Sequence, residues 1–161
     1  MVGAGGIGSS VAMYLAAAGV PLSIMDFDAV ELSNLHRQVI HDEENEGKNK
    51  SLSAVERLQS MNSLNHYKSI PMKLTTSNAE SVTKDFDLVV DATDNFEARY
   101  IINDACMLNG VPFVSGSAVG MEGQVTVFVP SKSPCYRCIY PQTSFSGEFY
   151  STYIHTHTYI H

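Results

Sequence analysis

The sequence predicts an α/β fold built on a doubly wound, mostly parallel sheet, with one antiparallel strand near its C-terminal side. Three observations carry this. Short apolar runs alternate with amphipathic stretches, the pattern of successive β and α units. A glycine-rich turn, Gly3-Ala4-Gly5-Gly6-Ile7-Gly8, leads straight into a stretch rich in Ala, Leu and Met. The segment DLVVD, Asp87 to Asp91, is apolar through its centre, as a strand covered on both faces must be.

The elements follow in order. Ile7 to Ala18 reads as a helix, closed by Gly19 near its C-cap and by Pro21 beyond. Leu22 to Met25 reads as a buried strand ending at Asp26. Lys48 to Met61 reads as a helix with Leu52, Val55, Leu58 and Met61 on one face. Tyr67 to Leu74 reads as a strand that Pro71 demotes to the sheet edge. After DLVVD come a helix over Phe96 to Leu108 and a short strand over Pro112 to Ser115. The alternating run Gln124 to Val129 (QVTVFV) should pair antiparallel. The first strand, which belongs before the glycine turn and at the centre of such a sheet, is reduced to Met1-Val2. This organisation predicts one incomplete domain over residues 1–142. Residues 143–161 form a divergent tail rich in Thr, Ser, Tyr and His, with no sustained period, and are expected to be unstructured.

Charge and composition exclude several classes. The 161 residues carry a formal charge of −7, which argues against nucleic-acid binding. The apolar run Val11 to Met25 is shorter than the ~20 residues of a membrane span. No positive segment precedes it, since the first basic residue is Arg37, so it is no signal peptide. The three cysteines are too few and too odd for a disulfide framework, and a cytoplasmic location is expected.

The glycine turn fits G-x-G-x-x-G. Glycine permits close backbone approach to phosphate, and the following helix presents amide donors and its positive dipole end. Asp26 lies 18 residues after Gly8, where a carboxylate in a Rossmann-like site accepts ribose hydroxyls, although Asp28 competes for that role. To this point an NAD-dependent oxidoreductase explains the pattern equally well. Three further features favour ATP. Arg37, within Ser33-Asn34-Leu35-His36-Arg37-Gln38, offers a fork of donors to phosphate. Lys50, within Gly47-Lys48-Asn49-Lys50, places an ammonium at a helix start. Asp94, in Asp91-Ala92-Thr93-Asp94-Asn95, follows a strand at the sheet's carboxyl end and can hold Mg2+. Each has a plainer reading: a surface ion pair for Arg37, a solvated position for Lys50, a helix cap for Asp94.

The segments GAGGIG, MDFDAVELSNLHRQVIH, GKNK, VVDATDN and SGSAVGMEGQVTVF, in that order, resemble the MoeB/ThiF family of ubiquitin-activating-like adenylyltransferases. They are similar above all to its eukaryotic members acting in molybdenum-cofactor biosynthesis and tRNA thiolation. The resemblance implies that Gly3, Gly5, Gly6 and Gly8 lie beneath ATP and that Asp26 holds its ribose. It implies phosphate contacts for Asn34, Arg37 and Lys50, with Gln38 and Asn95 lining the site and Asp94 near the α-phosphate and Mg2+. The implied reaction is adenylation of the C-terminal Gly-Gly carboxylate of a ubiquitin-fold sulfur carrier, by a homodimer. A non-catalytic partner subunit is the alternative of a different class.

Cys135-Tyr136-Arg137-Cys138 is a C-x-x-C knuckle whose thiolates can share one Zn2+. In the family a second pair completes the site. Here the match ends before it, and before the family's thiol-forming cysteine. A redox dithiol is the rival reading, and His155, His157 and His161 are further candidate ligands. Cys106 reads as a buried core thiol.

Overall fold

The computed structural model describes residues 1–141. The predicted tail and its histidines lie outside them. Helix α1 spans Gly6–Ala17, strand β1 Leu22–Met25, helix α2 Lys50–Met61 and strand β2 Tyr67–Ile70. Then follow α3 (Ala79–Thr83), β3 (Val89–Asp91), α4 (Phe96–Asn109), β4 (Phe113–Val119), β5 (Glu122–Phe128) and α5 (Tyr136–Ile139).

β1 pairs with β2 in parallel, β3 with β4 in parallel, and β4 with β5 antiparallel. Val2 joins the two halves, bridging in parallel to Met25 on one side and to Asp91 on the other. Main-chain hydrogen bonds make the seam, among them one from the Met1 amino group to Ser23 O at 2.7 Å. Val2 N–H donates to Val90 (2.8 Å) and Ala92 N–H to Val2 (2.9 Å), while Gly3 donates to Met25 and Met25 to Met1, both at 2.9 Å. The resulting order is β2, β1, the Val2 stub, β3, β4, β5. The predicted central stub is therefore present and carries the glycine loop.

Two apolar clusters cover the sheet. Ala12, Ala16, Ile24, Ile40, Ala54 and Leu58 belong to one. Met25, Val89, Ile102, Cys106, Phe113, Phe128 and Tyr136 belong to the other. Ile24 and Met25 fall in different clusters because successive strand residues point to opposite faces. This is the doubly wound arrangement.

Three sequence expectations need correction. The strand from Tyr67 stops at Ile70, since Pro71 cannot donate to a ladder. Of the predicted face of α2, Leu58 is buried and Val55 packs against the core, but Leu52 and Met61 are exposed and Ser51 and Ala54 are buried in their place. Small residues let α2 approach α1 and β2 closely, and Ser51 Oγ meets Ser69 Oγ at 2.7 Å. The third is α3, which has no counterpart in the sequence reading. Cys106 is fully buried, as expected, and burial pushes its thiol up to about 12.

Candidate nucleotide site

The glycine loop lies where the Val2 stub ends, between the carboxyl ends of β1 and β3. Its glycines do different work. Gly3 has φ +97°, and a Cβ there would meet Ala92 O at 2.6 Å. At Gly8 it would meet Gly3 O at 2.2 Å, so both positions exclude side chains for packing reasons. Gly5 and Gly6 are open. Beside them lie only Gln38 Nε2, at 3.7 Å from a built Cβ of Gly5, and Arg37, whose O, Cγ and Cδ are 3.5–3.7 Å from that of Gly6. The start of α1 is thus half-buried backbone free of side chains, with Arg37 laid across it.

Asp26, at the end of β1, accepts from Ala4 N–H at 2.7 Å through Oδ2 and from Asp28 N–H at 2.8 Å through Oδ1. Each oxygen keeps a lone pair for a hydroxyl. Asp28, the competing carboxylate, faces Lys50 Nζ at 3.4 Å. Lys50 is buried, so the solvated reading does not apply. It follows the N-cap Asn49, whose Oδ1 accepts from Ser51 and Leu52 N–H and whose Nδ2 donates to the carbonyls of Asp26 and Asp28. That side chain ties the start of α2 to the end of β1.

Arg37 donates to Asn34 Oδ1 at 2.7 Å and contacts His36 Nε2 at 3.2 Å. Among the described residues no carboxylate pairs with it, contrary to the ion-pair reading. Gln38 is buried, and its Oε1 lacks a hydrogen-bond partner among the described residues. A buried acceptor left without a donor beside Gly5 fits a site that expects a ligand.

Beyond β3, the cap of α4 is Asn95, whose Oδ1 accepts from Ala98 N–H at 2.9 Å. Asp94 is therefore not the cap. Its carboxylate is exposed and touched by Asn95 Nδ2 at 3.5 Å. Among the described residues no hydrogen bond or ion pair joins Asp94 to Arg37 or Lys50, whereas Gly6 and Asn34 both meet Arg37.

Sequence reasoning missed three residues here. Asp91 is fully buried and accepts from Thr93 N–H and Oγ (3.0 and 2.6 Å) and from Ser115 Oγ (2.6 Å). Arg99 lies 4.0 Å from Asp91 and donates to Thr93 O at 3.0 Å, so the two shape the loop that carries Asp94. His41, also buried, reaches Ala4 O at 2.9 Å and Ser53 Oγ at 2.9 Å. The polar ends of an apolar strand and of an H-R-Q-V-I-H segment were the available signals; their partners come only with the fold.

The cysteine knuckle sits on α4. Tyr136 N–H donates to buried Asn103 at 2.8 Å, and Arg137 makes two bonds to Asp104 (2.7 and 2.6 Å) beneath the Tyr100 ring. The Arg137 guanidinium holds Asp104 below its usual range. Cys135 and Cys138 Sγ are 3.4 Å apart. Burial opposes ionisation of Cys135, but the Cys138 thiol and the amides of Cys138 and Arg137 outweigh it and lower its pKa. Two thiolates are half of a tetrahedral zinc set, and no group of three metal-ligating side chains occurs among the described residues. The described residues alone do not fit zinc.

Known proteins are similar to this chain in sequence and in fold. The ThiF family profile matches residues 1–155. The chain is 46% identical over 142 residues to the adenylyltransferase and sulfurtransferase MOCS3 of Dictyostelium discoideum, covering 88% of this chain and 33% of that protein. MOCS3 of Arabidopsis thaliana gives 49% identity, with 88% and 31% covered. A crystal structure of E. coli MccB with ATP superposes with TM-score 0.79 at 29% identity, covering 85% of this chain and 41% of that one. PaaA gives 0.73 at 26% identity, with 81% and 41% covered. The chain belongs to the ThiF family, and its fold is that family's α/β fold. It spans about a third of the length of the MOCS3 relatives that it matches.

Proposed function

We propose that this chain forms the ATP-binding part of an adenylyltransferase that activates the C-terminal Gly-Gly carboxylate of a ubiquitin-fold sulfur carrier, for molybdenum-cofactor biosynthesis, tRNA thiolation or both. The observation that carries the reading is Arg37 lying across open Gly6 at the start of α1, with no acid paired to it among the described residues. Family membership supports ATP over the nicotinamide alternative.

In this reading Gly5 and Gly6 let the backbone approach the nucleotide, Gly3 and Gly8 let the loop and α1 pack closely beneath it, and Asp26 accepts the ribose hydroxyls. A carboxylate oxygen of the carrier attacks the α-phosphorus of ATP. A new O–P bond forms, the bond to the β-phosphate bridge breaks, and pyrophosphate leaves with that electron pair. The product is an acyl-adenylate, a mixed anhydride open to sulfur. No strong base is required, because the carboxylate is already ionised near neutral pH. Arg37, with Asn34 fixing its fork, and Lys50, released from Asp28, offset charge on the phosphates. Gln38 and Asn95 line the site. Asp94 is the exposed carboxylate suited to Mg2+, which when bound neutralises phosphate charge. Cys135 and Cys138 are two of the four ligands a zinc ion needs, and the remaining two would have to come from outside the described residues. A homodimer in the cytoplasm completes the proposal; among the described residues no helix is long and apolar enough to cross a membrane.

The test is carrier-dependent exchange of pyrophosphate into ATP. Arg37→Ala should lower it by about 100-fold, the usual scale for losing a donor to developing charge. An unchanged rate would contradict the reading. Carrier binding without any exchange in the unaltered protein would favour the non-catalytic partner role.

A further inference from the structure

Ala4, in the middle of the glycine loop, is held at both backbone groups. Asp26 Oδ2 takes its N–H at 2.7 Å and His41 Nε2 meets its carbonyl at 2.9 Å. A carbonyl only accepts, so Nε2 carries the hydrogen. In the neutral ring Nδ1 is then an acceptor and takes the Ser53 hydroxyl at 2.9 Å. His41 and Ser53 are both buried.

The geometry has a directional consequence. The Ala4 carbonyl and the Gly5 N–H belong to one planar trans peptide and point opposite ways. Pinning the carbonyl inward to His41 aims the Gly5 N–H outward. That plane turns about ψ of Ala4 and φ of Gly5, and Gly5 carries no Cβ, so without the pin it turns cheaply. The first amides of α1 have no intrahelical acceptor, which makes their direction decisive for an anion. His41 also closes the segment that carries Arg37 and Gln38, and through Ser53 it fastens that segment and the loop to α2.

We infer that His41 is a positioning residue: it sets the glycine loop in its phosphate-accepting orientation by holding the Ala4 carbonyl, with Ser53 fixing the ring tautomer. It touches no substrate. The inference rests on the ATP reading above only for its functional readout.

The test uses the full chain and two measurements. The first is amide hydrogen exchange at Ala4, whose N–H is held by Asp26, in the ligand-free protein; the second is ATP affinity by titration calorimetry. His41→Ala should speed exchange and weaken ATP by about tenfold, the scale of one lost buried hydrogen bond. His41→Gln places its amide nitrogen near the Nε2 position and should restore most of both. His41→Asn, whose nitrogen matches Nδ1, should restore neither. Ser53→Ala should give part of the loss. Exchange unchanged in His41→Ala, or Gln and Asn variants that behave alike, would overturn the inference. If the unaltered chain bound no ATP, the adenylation reading would fall, and exchange alone would decide the role of His41.

Discussion

Gly8 and Gly5 look alike in the motif, yet a methyl group would meet different surroundings. At Gly8 it would lie 2.2 Å from a backbone oxygen that cannot move aside. Gly8→Ala should cost about 1–3 kcal/mol, the range for overpacking, and lower the melting temperature by several degrees. At Gly5 the nearest atom, Gln38 Nε2, is 3.7 Å away. Gly5→Ala should leave stability within about 0.5 kcal/mol while weakening ATP binding. Equal melting temperatures for the two variants would contradict this division. His41 supplies a second prediction. Burial, and then Lys50, lower its pKa from 6.5, against the opposing pull of the Ala4 carbonyl, Asp26 and Asp42. A depressed folded pKa contributes stability that is complete above 6.5 and lost as pH falls toward the folded value. Urea midpoints should therefore drop between pH 7.5 and 5.5, and less so in His41→Gln. The glycine loop, Asp26 and the cysteine pair were legible in the sequence because their spacing is itself the signal. His41 and the Asp91–Arg99 pair were not, because their meaning lies in partners distant along the chain.

Among the elements, α5 shows how a four-residue helix is held. Its C-x-x-C spacing was legible, but the two residues between the cysteines anchor it. Tyr136 enters the core, and its N–H finds Asn103 in a buried setting. Asn103→Ala leaves that N–H unsatisfied and should cost about 1–3 kcal/mol. Arg137 and Asp104 are 41% and 45% exposed, so the ion pair lost in Arg137→Ala should cost only about 0–1 kcal/mol in spite of the two hydrogen bonds to Asp104. Chemical unfolding of the two variants should rank them in that order; the reverse order would show that the surface pair holds the knuckle. Helix α2 illustrates the opposite limit of legibility. Its apolar stripe is real, but close approach to α1 selects Ser51 and Ala54 over Leu52 and Met61. Periodicity finds the helix, while packing distance chooses its inner face.

In the molecule as a whole, a stub of strand carries unusual weight. Val2 links β1 to β3 and delivers the glycine loop to the carboxyl edge where Asp26 and Asp94 also emerge. The doubly wound order was legible from alternating apolar runs, and the central place of the stub followed from it. Val2→Pro removes the donor to Val90 O and should cost several kcal/mol of a total near ~5–15. Circular dichroism should show a marked loss of cooperative unfolding; a native-like transition would mean that β1 and β3 hold together without the stub. Adenylation at this edge is the proposed function. It is tested most directly by exchange of labelled pyrophosphate into ATP with a ubiquitin-fold carrier ending in Gly-Gly. The account predicts exchange that requires the carrier's terminal carboxylate and is lost in Arg37→Ala. Exchange indifferent to Arg37, or no exchange in a protein that binds NAD instead, would contradict it.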